Sequence, residues 1–204
     1  MTHDPRRFLE DLRNILASPN ARILFLFGAG SSSSIKVPDP DHSGTGEPDV
    51  VALIPAVDGL TEKCKQHVTL MGADFAIAWD HLVTGCVAAG QDPHIESILS
   101  RLRATIAAAD PTTLPLGLTA TDLNALEESI QQTVATLTNP HESQIPDELP
   151  QHKFARWVRG TRRTQSIELF TTNYDILLER SLERAGVFVF DGFVGSYEPF
   201  FSPS

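Results

Sequence analysis

A run of five apolar residues, Ile23-Leu24-Phe25-Leu26-Phe27, opens directly onto Gly28-Ala29-Gly30 and four serines, Ser31 to Ser34. The run does not alternate, so it reads as a strand buried on both faces, as in parallel sheets. The pattern recurs late in the chain. Ser166-Ile167-Glu168-Leu169-Phe170 reads as a strand, Thr171-Thr172-Asn173-Tyr174-Asp175 as a polar turn, and residues 176–185 as a helix stopped by Gly186. Val187-Phe188-Val189-Phe190 reads as a third strand, and residues 191–204 as loop.

Between these blocks the spacing predicts helices. Residues 4–18 carry Phe8, Leu12, Ile15 and Leu16 on one face, with Asp4 as N-cap, Pro5 in the first turn, and Pro19 and Asn20 as the stop. Residues 60–90, 94–109, 121–137 (opened by Thr121 or Asp122) and 151–163 also read as helical. Residues 36–59 read as one long loop, and the stretches around 110–117 and 139–150 as turns. Strands alternating with helices give the expected fold class: α/β, a Rossmann-like parallel sheet with helices on both faces. Residues 60–163 form a helical insertion between its first strands. Right-handed crossovers place both turns at the carboxyl edge of the sheet, where open α/β sheets bind ligands.

The glycine turn suits a diphosphate. Gly28 permits a tight turn, Gly30 lets the backbone approach the ligand, and the N–H groups of a following helix hold negative charge. Serine hydroxyls add donors. The third glycine of a G-x-G-x-x-G fingerprint is replaced by Ser33, and no Walker lysine pattern is present. A strand-to-helix turn with no ligand is the alternative. In the second turn, Asn173 offers one acceptor and two donors for ribose hydroxyls or a water. Thr172, Asn173 and Asp175 are equally residue types that cap helices, and for Asp175 capping is the first reading.

Charge and cysteines bound the rest. The formal net charge is −10, which argues against direct nucleic-acid binding and leaves an anion to local backbone dipoles. Cys64 and Cys86 form no C-x-x-C pair, so no zinc module is expected. The first residues lack a signal-peptide apolar run, and no stretch reaches 18 apolar residues; a cytoplasmic protein without a membrane span is expected. The seven histidines stand at 3, 42, 67, 81, 94, 141 and 152. His94 reads as a cap or surface residue, His141 as part of a polar turn, and His152 as a helix-start residue with room to pack near the cleft.

FLFGAGSS and ELFTTNYDILLERSL together resemble the sirtuin-like NAD hydrolase family, whose most distinctive segment is the T-T-N-Y-D turn. PHIESILSRLR (93–103), HKFARW (152–157) and DGFVG (191–195) are weaker echoes of it. The resemblance implies a Rossmann-like NAD-binding domain over 1–204, with NAD as substrate, cleaved to ADP-ribose and nicotinamide, and no metal. It implies a role in bacterial anti-phage defence, a homo-oligomer, and an ATPase or Argonaute-like partner. Carried onto this chain, Gly28, Ala29, Gly30, Ser31 and Ser32 contact the diphosphate. Thr172 and Asn173 bind NAD. Asn173 positions the ribose or the attacking water, and Asp175 supports the site. The family's catalytic histidine lies in an H-G pair after the DGFVG segment. No such pair occurs in this chain and no histidine follows Asn173. The expectation is therefore an incomplete domain with weak or no activity alone, or a natural short form. A non-catalytic NAD or ADP-ribose sensor, or a scaffold with a bare turn, are the alternatives.

Overall fold

The computed structural model describes residues 4–39, 46, 49–110, 113–195, 198 and 200–202. It is a mixed α/β chain. In order it holds α1 (Pro5–Ala17), β1 (Leu24–Phe27), α2 (Gly30–Ser33), β2 (Lys36–Pro38), β3 (Val50–Ala52), α3 (Val57–Met71), α4 (Ala73–Ala88) and α5 (Ile95–Ala108). There follow α6 (Ala120–Thr138), α7 (Pro150–Gly160), β4 (Glu168–Thr171), α8 (Leu177–Arg184), β5 (Phe193–Val194) and β6 (Phe200–Phe201). These fall into two compact units: Met1–Gly28 with Pro146–Ser204, and Ala29–Ile145.

The first unit is built on β1 and β4, which pair in parallel with Phe25 opposite Leu169 and Phe27 opposite Thr171. One face of this sheet is packed. Phe25 meets Phe154 and Trp157 of α7 edge-on, at centroid distances of 5.0 and 5.7 Å. Phe27 and Leu169 pack beside Ala155, Leu178 and Leu182, where α7 and α8 meet. The opposite face is exposed at Leu24, Leu26 and Phe170. This corrects the expectation of a strand buried on both faces with helices on both sides: β1 alternates, and among the described residues helices cover one face. The third strand is also corrected. Residues 187–190 join no ladder among the described residues, and Phe188 is fully exposed. Instead, two short strands pair antiparallel, Phe193 opposite Phe201, in a stretch read as loop.

Local chemistry explains the elements. Asp4 Oδ1 accepts the Arg6 N–H at 3.0 Å and opens α1, with Pro5 in the first turn, as predicted. Gly186 closes α8 at φ +69, a left-handed position where glycine avoids the Cβ penalty. Arg163 ties the chain before β1 to the segment before β4, donating to the carbonyls of Leu16, Ser18 and Ala21 at 2.7 to 3.0 Å. The start of α7 depends on His152, whose Nδ1 accepts the Leu149 N–H at 3.1 Å. Burial holds the His152 imidazole below its ordinary range. Arg184 and Arg156 push the same way, and Glu148 opposes them. The unfolded chain therefore binds this proton more readily than the folded one. The stabilisation is fully present above pH about 6.5 and is lost as pH falls through the lowered folded value. A cap bond of this kind contributes about 1 kcal/mol. Thermal melts from pH 7.5 to 5 should show stability falling with acid, and His152→Gln should flatten that part of the profile.

The second unit is helical, with a small β2–β3 antiparallel pair, Val37 opposite Val51, where the sequence reads as loop. Its core lies among α3, α4, α5 and α6: Cys64, Trp79, Leu82, Ile98, Leu102 and Leu126 are essentially sealed from solvent. The helix expected over 60–90 is two helices. Gly72 at φ +137 breaks it, a conformation other residues rarely adopt. A Cβ at Gly85 would collide with the Arg101 guanidinium, so α4 and α5 approach closely there. Thr119 caps α6 in a reciprocal capping box with Asp122, two residues before the Thr121 of the sequence reading. Arg103 and Glu127 pair at 2.7 Å between α5 and α6. Burial pushes the Cys64 thiol up to about 11, so it stays protonated and unreactive at neutral pH. The separate helical unit ends at Ile145, so α7, placed by the sequence within the insertion, belongs with the sheet. Among the described residues, no helix is long and apolar enough to cross a membrane.

Candidate functional site

The parallel pairing of β1 and β4 decides where the two turns begin. Phe27 and Thr171 form the last ladder pair, and the Thr172 N–H donates to the Phe27 carbonyl at 3.1 Å. Gly28 and Thr172 therefore leave the sheet from the same carboxyl edge, as the sequence order predicted.

The 171–177 turn is held by its own side chains. Thr171 Oγ1 accepts the Asn173 N–H at 3.0 Å, and Asp175 Oδ1 accepts the Leu177 N–H at 3.1 Å. Both are side-chain turns spanning two residues, the local bonding that Thr and Asp favour over regular structure. Ser181 Oγ donates to the Leu177 carbonyl and extends the network into α8. Thr172 and Tyr174 are exposed and Asn173 is half-buried, whereas Asp175 is 7% exposed. Thr172 and Asn173 thus keep solvent access, and Asp175 is folded into a side-chain turn just ahead of α8. Thr171 carries no role in the sequence reading. A Thr two residues before an Asn, at a strand end, is the signal that points to it.

Gly28 ends the first unit; Ala29, Gly30, Ser31 and Ser32 belong to the second. There the expected phosphate-binding helix is a single four-residue turn, α2, with the Ser32 and Ser33 N–H groups donating to the Ala29 carbonyl. A helix this short has too few aligned peptides for a useful dipole, which corrects that part of the expectation. Ser32 is 3% exposed, so its hydroxyl faces protein. The glycines are informative for another reason. Neither Gly28 nor Gly30 has a left-handed φ, and a Cβ built on either meets nothing within 4 Å among the described residues. Neither backbone conformation nor packing demands glycine at these positions.

Charge is divided between the units. Residues Ala29–Ile145 hold five Lys and Arg against fifteen Asp and Glu, and the other unit holds eleven of each. The whole net charge of −10 therefore resides in the helical unit, and the unit bearing the asparagine turn is neutral. An anionic ligand meets no net repulsion there.

His94, His141 and His152 hold local backbone N–H groups. His94 caps α5 through the Ser97 N–H, and His141 accepts the Ser143 N–H at 3.3 Å. His67 and His81 are exposed on α3 and α4, and His152 caps α7. His3 and His42 lie outside the described residues. Among the described residues, no group of three or more His, Cys, Asp or Glu is arranged to hold a metal ion. No protein-family model matches the chain, and no curated protein matches its sequence.

Proposed function

We propose that the chain is the NAD-binding part of a sirtuin-like NAD hydrolase, with β1 and β4 as the first strands of a Rossmann-like sheet. The observation that carries this reading is the pair of glycines that the fold does not require. With open space over Gly28 and Gly30, a ligand that must lie against bare backbone explains them. The ligand lies against the backbone at Gly28, and Thr172 and Asn173 receive its ribose at the same carboxyl edge of the β1–β4 pair. In hydrolysis, water adds to the ribose C1′ as the bond to nicotinamide breaks, nicotinamide leaves neutral, and the water's proton passes to solvent. The Asn173 amide holds the ribose hydroxyl or that water by hydrogen bonds.

One observation favours a second reading, binding without turnover. The Asp175 carboxylate is buried and engaged with the Leu177 N–H, so it is poorly placed as a general base. A missing base costs roughly 10² to 10⁴ in rate. The two readings separate in one experiment, titration calorimetry with NAD alongside an assay for free nicotinamide. Binding with nicotinamide release supports the hydrolase, and binding without release supports the sensor. No binding at millimolar NAD would refute both and leave the G-A-G segment a bare turn.

A further inference from the structure

We propose that Thr171 is the positioning residue of the asparagine turn, an inference that rests on the NAD reading above. The backbone around Asn173 is fixed from three sides within one unit. The Thr172 N–H is spent on the Phe27 carbonyl, the Asn173 N–H on Thr171 Oγ1, and the Leu177 N–H on Asp175 Oδ1. Of these bonds, only the one from Thr171 reaches Asn173 itself. It sits at the last rung of the β1–β4 ladder, so the hydroxyl is anchored to the sheet rather than to a loop. β-Branching restricts the Thr171 rotamer and keeps Oγ1 aimed at its own backbone. Thr171 is exposed, so its side chain fills no core space that would otherwise account for it. The backbone at Asn173 is thereby held in a set orientation, with its ordering met before binding.

The test is a double-mutant cycle on the full chain, read by NAD titration calorimetry. Thr171→Val keeps shape and β propensity but cannot accept the Asn173 N–H. It should weaken NAD binding about fivefold, the order of one hydrogen bond, with the melting temperature unchanged or raised. Thr171→Ser should recover most of the affinity. In an Asn173→Ala background, Thr171→Val should cost nothing further, because Thr171 acts only through Asn173. Unchanged binding in Thr171→Val, an equal loss in Thr171→Ser, or a full additive loss in the double variant each overturns the assignment while leaving the NAD reading standing. Failure of the parent chain to bind NAD overturns both.

Discussion

Gly28→Ala and Gly30→Ala should each lose NAD binding by tenfold to a hundredfold, roughly, while melting no lower than the parent. The two halves of this result have separate causes. Among the described residues, a methyl group at either position meets nothing within 4 Å beyond its chain neighbours and its own helix backbone, and neither residue uses a left-handed φ. Replacing glycine at a compatible backbone position restricts the unfolded chain and stabilises by about 0.4–1 kcal/mol. At Gly30, the first residue of α2, the substitution also favours helix. A ligand lying against the backbone there meets the new methyl, and overpacking of this kind costs about 1–3 kcal/mol. That is the stated loss in affinity. Thermal denaturation and titration calorimetry on the same samples check both halves. Binding retained in both variants would mean that the ligand, if any, does not use this turn. A lower melting temperature would mean that the glycines are needed by the fold.

The second large effect belongs to the helical unit. Ala29–Ile145, expressed alone, should fold cooperatively with helical circular dichroism, and Trp79→Ala should remove about 3–5 kcal/mol of its stability. Its core is the reason. Trp79, Leu82, Ile98, Leu102 and Leu126 are nearly sealed from solvent among helices contiguous in sequence. With marginal stability of about 5–15 kcal/mol for such domains, one truncated Trp takes a large share of the total. Thr61 Oγ1, which accepts the Ile95 N–H at 2.9 Å, and the Arg103–Glu127 pair add specific ties between helices of the same unit. A featureless spectrum from the excised segment would contradict this account of where its stability lies.

The sequence disclosed what local chemistry controls and missed what depends on partners distant in the chain. Asp4-Pro5 marked the start of α1, Gly186 the end of α8, and the five-residue run before Gly28 the strand β1. The parallel pairing of β1 with β4 followed from the repeated strand-and-turn order. The break at Gly72 was hidden because apolar spacing continues on both sides of it, and only the φ of +137 separates α3 from α4. β2 and β3 escaped because three-residue strands in a Pro- and Asp-rich stretch carry too little pattern, and each needs the other to exist. Val187-Phe188-Val189-Phe190 has strand composition, yet among the described residues it meets no strand edge to pair with, and β propensity alone produces no strand.

The site was read to a similar depth. That Gly28 and Thr172 share an edge was legible from topology. The cap role of His94 was legible from residue type. That Thr171 holds Asn173, or that Ser32 turns inward, depends on side-chain geometry that no spacing rule encodes. The acidic charge is unevenly placed, which its sum does not reveal: −10 belongs to one unit, and the unit bearing the asparagine turn carries none of it.

Backbone amide hydrogen exchange with and without saturating NAD tests the central claim most directly. The account predicts slowed exchange in peptides covering residues 28–34 and 171–177, with helices α3 to α6 unaffected. Slowed exchange confined to helices α3 to α6, or no change in either turn while NAD is bound, would contradict it.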